Sequence, residues 1–309
     1  MVDLTDRDMG LELLGKRSEL PMIIAPTGVA GLCWYQGELA LAKAAAKAGI
    51  PFTLATGSLT SMENIAKEAG GRLWFQLYMW KEQDLSYEMI ARARDAGFEG
   101  LVVTIDGALG NNREYNRRNG FTIPFTITPR FFADMTLHPQ WLVDTIFRYL
   151  LTTGMPRHEN YPDKYNHRVT SGKGELRPQR HHAMNWKDIE KLREFWPGKL
   201  IVKGVLREED ARLAVEHGAD AVVVSNHGGR ALDAAAPTMD ILPEVVAAVG
   251  NKTTVILDSG VRRGSDMVKA LGLGADAVLT GRATLYGIST GGEAGASKVI
   301  SILRSEFEK

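Results

Sequence analysis

The chain has almost no cysteine: one residue, Cys33, among 309. No intramolecular disulfide can form, so the fold must hold by packing alone, and the thiol content fits a reducing compartment. Cys33 itself reads as a small packed side chain rather than a nucleophile. Net charge is also missing, because 37 basic residues balance 37 acidic ones. That balance gives no global pull toward nucleic acid or a membrane surface. No uninterrupted apolar run is long enough to span a bilayer. The first residues, MVDLTDRDMG, are polar and acidic, unlike a secretory signal. A G-x-G-x-x-G dinucleotide fingerprint is likewise lacking. These absences predict a soluble cytoplasmic protein. What the chain does have is apolar bulk, 44% hydrophobic residues, enough for a large core.

One unit recurs along the sequence: an Ala-rich amphipathic stretch, a glycine, then a short apolar run. It occurs as LAKAAAKAGIPFTLATG, IARARDAGFEGLVVTID, ARLAVEHGADAVVVSN and VKALGLGADAVLTG. Gly49, Gly97, Gly218 and Gly274 sit where a helix needs a left-handed stop. The apolar runs do not alternate, as expected for parallel strands covered on both faces. Eight such runs lie near 21–26, 51–56, 72–77, 100–105, 200–204, 220–225, 253–258 and 276–281. Eight βα units predict an α/β fold of the closed (β/α)8 type, a TIM barrel forming a single domain over residues 1–309.

A long insertion, about residues 110–185, separates the fourth and fifth runs. Its middle, HPQWLVDTIFRYLL, has helical spacing and apolar bulk; its tail from Met155 is polar, basic and rich in turn residues. Loops of this length are commonly functional lids or disordered segments. The amphipathic part could pack on its own barrel or touch a membrane or partner.

In such a barrel the C-terminal strand ends share one site. Here they read WFQLY, VVTID, IVKG, VSNHGGR, ILDSGVRRGSD and LTGRATLYG. Gly260 and Gly264 flank Val-Arg-Arg, and Gly281 precedes Arg282, in the two loops where barrels bind phosphate through backbone N–H groups and a helix N-terminus. Lys203 emerges from an apolar strand and must find an anion or lose its proton. It could form a Schiff base or sit beside a cofactor ring that becomes negative. His227 can act as a base, with Asp106 at a neighbouring strand end orienting it. Arg113 and Arg230 suit a bidentate grip on a carboxylate. The set predicts a phosphate-bearing cofactor facing a small carboxylate substrate.

SNHGGR followed by LD resembles the signature of the FMN-dependent L-2-hydroxy acid oxidases and dehydrogenases, and the similarity runs from LPMIIAPTG to the C-terminal helix. The resemblance implies FMN as cofactor and oxidation of an L-2-hydroxy acid to the 2-oxo acid. It implies His227 as the base, Asp106 as its holder, and Arg113 and Arg230 as the carboxylate clamp. Tyr78 would bond the substrate, and Lys203 would support the reduced flavin. Gln76, Thr104 and Ser225 would contact the ring, and the backbone of Pro26, Thr27 and Gly28 would run along it. Asp258 would hold the ribityl chain; Gly260, Arg262, Gly281 and Arg282 would bind the phosphate. A homotetramer is implied, while the electron acceptor stays open among quinone, electron carrier and oxygen.

The sequence also departs from the family pattern. A further N-terminal helical segment, with a tyrosine that touches the substrate carboxylate, has no counterpart in these residues, as expected of a fragment, a misassigned start or a short form. Asn116 stands where aspartate is usual and Ala231 where glutamine is usual. Gly57 replaces the tryptophan of short-chain oxidases, and Gly28 stands where strong oxidases often carry alanine. Both point to a bulky or aryl substrate, as in the mandelate-type enzymes, and to an acceptor other than oxygen; lactate is the alternative, and a side chain from the insertion could instead refill the space at Gly57. A flavin-barrel isomerase would need the phosphate loops but not the His227, Arg230 and Arg113 group. A non-catalytic flavin-binding protein is the other alternative.

Overall fold

The computed structural model describes residues 7–107, 113–123, 125, 128–171 and 178–309. The first six residues and residues 172–177 of the insertion's polar tail, for which expectations were drawn, lie outside the described residues. A hairpin comes first, with strands β1 (Leu11–Leu13) and β2 (Lys16–Ser18). The barrel strands follow: β3 (Met22–Ile24), β4 (Phe52–Ala55), β5 (Leu73–Leu77) and β6 (Gly100–Thr104). After the insertion come β7 (Lys199–Val205), β8 (Ala221–Val224), β9 (Thr254–Leu257) and β10 (Ala277–Thr280). All eight pair in parallel, and β10 closes on β3. Each predicted apolar run coincides with one strand, β7 extending one residue beyond its run at either end.

The strands lack alternation because both faces are covered. Ile23, Trp74, Val102, Ile201, Val223 and Ile256 fill the barrel interior, while their neighbours Ile24, Phe75, Val103, Val202, Val224 and Leu257 pack against the surrounding helices. The four predicted helix stops hold: Gly49, Gly97, Gly218 and Gly274 have φ of 65°, 85°, 90° and 99°.

The hairpin was not predicted, since three-residue strands carry too little pattern to register. It plugs the N-terminal end of the barrel. Leu13, 1% exposed, joins the interior cluster, a burial worth about 1.5–3 kcal/mol. Arg72 donates to the Leu13 carbonyl at 2.8 Å and pairs with Glu99 at 2.7 Å, and Lys16 reaches the same carboxylate.

The insertion lies over the opposite end. Thr128 caps a helix at Pro129–Leu137, accepting from the Phe131 N–H. A second helical run covers Pro139–Trp141, Leu142–Phe147 and Arg148–Thr152, the middle part with π-helical spacing. One face packs inward, as expected of an amphipathic segment: Trp141 Nε1 donates to the Leu32 carbonyl at 2.7 Å, and Tyr149 is buried. The outer side of this run leaves Val143, Phe147 and Leu151 exposed, Leu151 at 84%, as are Phe132 and Leu137 on the preceding helix. No helix among the described residues is long and apolar enough to cross a membrane.

Candidate active site

A cavity of about 1100 Å³ opens at the C-terminal ends of the barrel strands, beneath the insertion. It exceeds the roughly 300–1,000 Å³ that a single drug-sized ligand occupies, leaving room for a cofactor and a substrate together. Its floor and walls include Pro26, Thr27, Gly28, Gln76, Thr104, Lys203, Asp258, Gly260, Arg262, Gly281 and Arg282. Tyr78, Arg113, His227, Arg230 and Gly57 line it as well.

Lys203 is 4% exposed at the end of an apolar strand, and its partners are supplied. Nζ lies 2.9 Å from Asp258 Oδ2 and donates to Ser225 Oγ at 2.9 Å. Burial works against its charge, but Asp258 and Asp106 outweigh it and hold the ammonium above the usual lysine range. For Asp258 burial pushes the other way, and Lys203 and Ser225 overcome it, keeping the carboxyl below its usual range. The ion pair leaves no case for a neutral, Schiff-base-forming lysine.

Ser225 is fully buried: its hydroxyl donates to Asp258 at 2.6 Å and accepts from Lys203 at 2.9 Å and from the His227 N–H at 3.1 Å. Its role here is to tie three site residues together. The ring-edge groups Gln76 and Thr104 face the cavity, linked by a 3.0 Å hydrogen bond.

His227 follows β8 with φ of 61°, unusual for a residue with a side chain. Asn226 Oδ1 and Ser259 Oγ accept from Gly229 and Gly228 and brace this turn. Nδ1 of His227 lies 2.8 Å from Asp106 Oδ1, and Nε2 lies 3.2 Å from the Tyr78 hydroxyl. Asp106 is not at a neighbouring strand end, because β7 stands between β6 and β8. The reach is possible because β7 bulges at Gly204, where the register shifts and φ is 107°. A Cβ at Gly204 would stand 2.7 Å from the Asp106 Cβ, so only glycine clears the path.

Arg113 and Arg230 both line the cavity, and the Tyr115 hydroxyl accepts from Arg230. Burial, with Arg230 and Arg180 nearby, lowers the Arg113 guanidinium from its ordinary value, as expected where cations converge without a carboxylate. Arg113 Nε and Asp106 Oδ2 are buried with no hydrogen-bond partner among the described residues. An anionic ligand at the arginines would satisfy the first of these.

The phosphate loops divide the work. The N–H groups of Arg262 and Arg263 are taken by Asp266 and that of Gly264 by Glu306, so the helix Gly264–Gly272 is capped by its own chain. Helix Arg282–Glu308 starts at the cavity, and the N–H groups of its first turn have no partner within the helix. At Gly260 a Cβ would meet nothing within 4 Å. These groups fit FMN: a cationic and amide-bearing ring edge at Lys203 and Gln76, an acceptor at Asp258, and a helix N-terminus with Arg262 and Arg282 for the phosphate.

Strand-end reasoning missed the residues the insertion contributes. Tyr161 and His158, rings stacked at 4.6 Å, stand 3.6 and 4.0 Å from where a Gly57 Cβ would lie. Arg180 lies over Tyr78 with Cζ 3.8 Å from the ring centre. Asn160 and the buried Glu38 anchor the loop that follows Gly57. None of these has periodicity to betray it.

A parallel barrel with an imidazole, a carboxylate clamp and a paired lysine around one phosphate-ready cavity defines a flavin-type oxidoreductase. The chain belongs to the FMN-dependent dehydrogenase family, whose model matches residues 1–309. It is 42% identical to (S)-mandelate dehydrogenase of Pseudomonas putida over 309 residues, 100% of this chain and 77% of that protein. It is 39% identical to an L-lactate oxidase of Nostoc sp. over 312 residues, 99% of this chain and 79% of the relative. A crystal structure of the monotopic membrane protein (S)-mandelate dehydrogenase superposes with a TM-score of 0.91 at 42% identity, covering all of this chain and 80% of that one. A mandelate oxidase variant with (S)-mandelic acid gives 0.80 at 35% identity, covering all of this chain and 78% of its own. The protein is thus an FMN-dependent enzyme of the 2-hydroxy acid dehydrogenase and oxidase group.

Proposed function

We propose that this enzyme oxidises an aryl L-2-hydroxy acid of the (S)-mandelate type and passes the electrons to an acceptor other than oxygen, a quinone or electron carrier. The observation that carries the substrate is the wall opposite Gly57. A Cβ there would have only the Tyr161 hydroxyl and His158 Nδ1 within 4 Å, so the pocket is open at Gly57 and rimmed by the stacked rings of these two residues. An aryl group gains both its buried area and ring contacts in such a space.

In this reading Arg113 and Arg230 hold the carboxylate. His227 Nε2 takes the proton from the substrate, and Asp106 at Nδ1 stabilises the resulting imidazolium. The Tyr78 phenol, held above its usual value by burial, stays protonated and donates toward the oxygen on C2. Bound FMN supplies the two-electron acceptor. Lys203 presents fixed positive charge to the edge of the ring that becomes electron-rich, and Gln76, Thr104, Asp258, Gly260, Arg262, Gly281 and Arg282 hold the cofactor.

The exposed apolar face of the insertion supports a peripheral membrane contact, with Phe132, Leu137, Phe147 and Leu151 immersed at the interface. Anaerobic mixing with glycolate, lactate and (S)-mandelate, read as flavin bleaching, tests the substrate. Mandelate should bleach fastest; a preference for glycolate would refute the aryl assignment. Co-sedimentation with anionic vesicles, weakened by Leu151→Ser with Phe147→Ser, tests the membrane contact.

A further inference from the structure

The return leg of the insertion pairs with the segment after β5 as a short antiparallel ladder. The His181 N–H donates to the Met79 carbonyl and the Lys81 N–H to the Gln179 carbonyl, both at 2.8 Å, with Trp80 and Arg180 bridged between them. This pairing fixes the backbone of Arg180 beside Tyr78. Its guanidinium donates to the Gly107 carbonyl and sits with Cζ 3.8 Å from the Tyr78 ring centre. Gly107 makes the space: a Cβ there would fall 3.0 Å from Tyr78 Cε1 and run into the Arg180 guanidinium. A long cation is therefore anchored at three points, over the one phenol that also lies 3.2 Å from His227 Nε2.

We infer that Arg180 is a positioning residue for Tyr78: its charge over the ring orients the phenol and strengthens it as a donor to the oxygen on substrate C2. This rests on the substrate reading above. The charged groups facing Tyr78 are Arg180, Lys203 from β7, Asp106 after β6, Arg113 from the insertion and His227 after β8. Burial raises the phenol, and Arg180 is the largest of the influences that lower it again. A cation held against a ring polarises it toward giving up its proton. A more acidic phenol is a stronger donor to an oxyanion that develops during the reaction.

The test compares Arg180→Met, Arg180→Lys, Tyr78→Phe and the Arg180→Met/Tyr78→Phe double variant as holoenzymes. Arg180→Met should slow anaerobic flavin bleaching by about tenfold with substrate affinity kept, and Arg180→Lys should recover part of the rate. In the Tyr78→Phe background Arg180→Met should have no further effect on the rate. A loss of substrate affinity that adds to that of Tyr78→Phe would instead make Arg180 a contact for a second anionic group, and would overturn the inference. Fluorine NMR of fluorotyrosine-labelled holoenzyme, with the Tyr78 signal assigned by Tyr78→Phe, reads the phenol directly. Arg180→Met should move its ionisation upward, and no movement would overturn the inference. Should no 2-hydroxy acid bleach the wild type, the substrate reading fails while the fluorine titration still decides the coupling of Arg180 to Tyr78.

Discussion

Replacing Asp106 by asparagine isolates one charge in the site. The two side chains have almost the same shape, and the asparagine carbonyl can still accept from His227 Nδ1 across the present 2.8 Å. What disappears is the negative charge that stabilises the imidazolium once His227 has taken a proton. Asp106 is 9% exposed and His227 21%, so solvent screens the pair only in part. At an effective dielectric of 20, unit charges about 4 Å apart attract by about 4 kcal/mol, an upper bound here. A hydrogen bond to a charged group is worth about 1.5–3 kcal/mol against about 0.5–1.5 for a neutral one. The transition state should therefore lose about 1–2.5 kcal/mol, a rate fall of roughly five- to seventy-fold. Substrate affinity should hold because Arg113 and Arg230 are untouched, and FMN should stay bound because Lys203 keeps Asp258 as partner. Stopped-flow bleaching of the anaerobic enzyme at saturating (S)-mandelate measures this. A variant within threefold of wild type, or one that fails only through weaker substrate binding, would refute the role given to Asp106.

Gly57→Trp should shift selectivity from mandelate toward glycolate and lactate, since an indole there meets Tyr161 and His158; relative bleaching rates across the three acids check it. Asn160→Ala removes a fully buried amide that accepts from Met62 N–H and donates to Ser58 and the Thr60 carbonyl. It should cost about 2–4 kcal/mol, seen as a lower Tm, and blunt the preference for mandelate because Tyr161 is the next residue. Glu99→Gln should destabilise the barrel floor by about 1–3 kcal/mol at neutral pH. Burial opposes the Glu99 charge, but Lys16, Trp74 and Arg72 hold the carboxyl below its usual range. Its contribution is therefore full above the unfolded value of about 4.3 and is lost as pH falls through the lower folded value. The Tm gap between variant and wild type should close toward acid pH, and a gap that widens there would contradict the sign.

How far the sequence reached follows from the range of the forces involved. The non-alternating runs fixed eight buried parallel strands, and glycines such as Gly97 and Gly218 marked the helix ends, because burial on both faces and a left-handed stop are local requirements. Strand-end position then brought Lys203, His227, Arg230 and Asp258 to one cavity, since a closed barrel sends every C-terminal end to the same place. Other facts needed three dimensions. Asp106 reaches His227 across an intervening strand only because Gly204 bulges there, a contact between positions 121 residues apart. The Ser225 hydroxyl links Lys203 and Asp258, residues 22 and 33 positions from it. Tyr115, His158, Tyr161 and Arg180 joined the site through the insertion, which has no repeat to set its register. Its place over the barrel is decided by side-chain anchors such as Asn160 and Trp141 and by the ladder at Trp80 and Arg180. Periodic burial writes the scaffold into the sequence, whereas the lid over the substrate is set by single long-range hydrogen bonds that only the folded chain brings within reach.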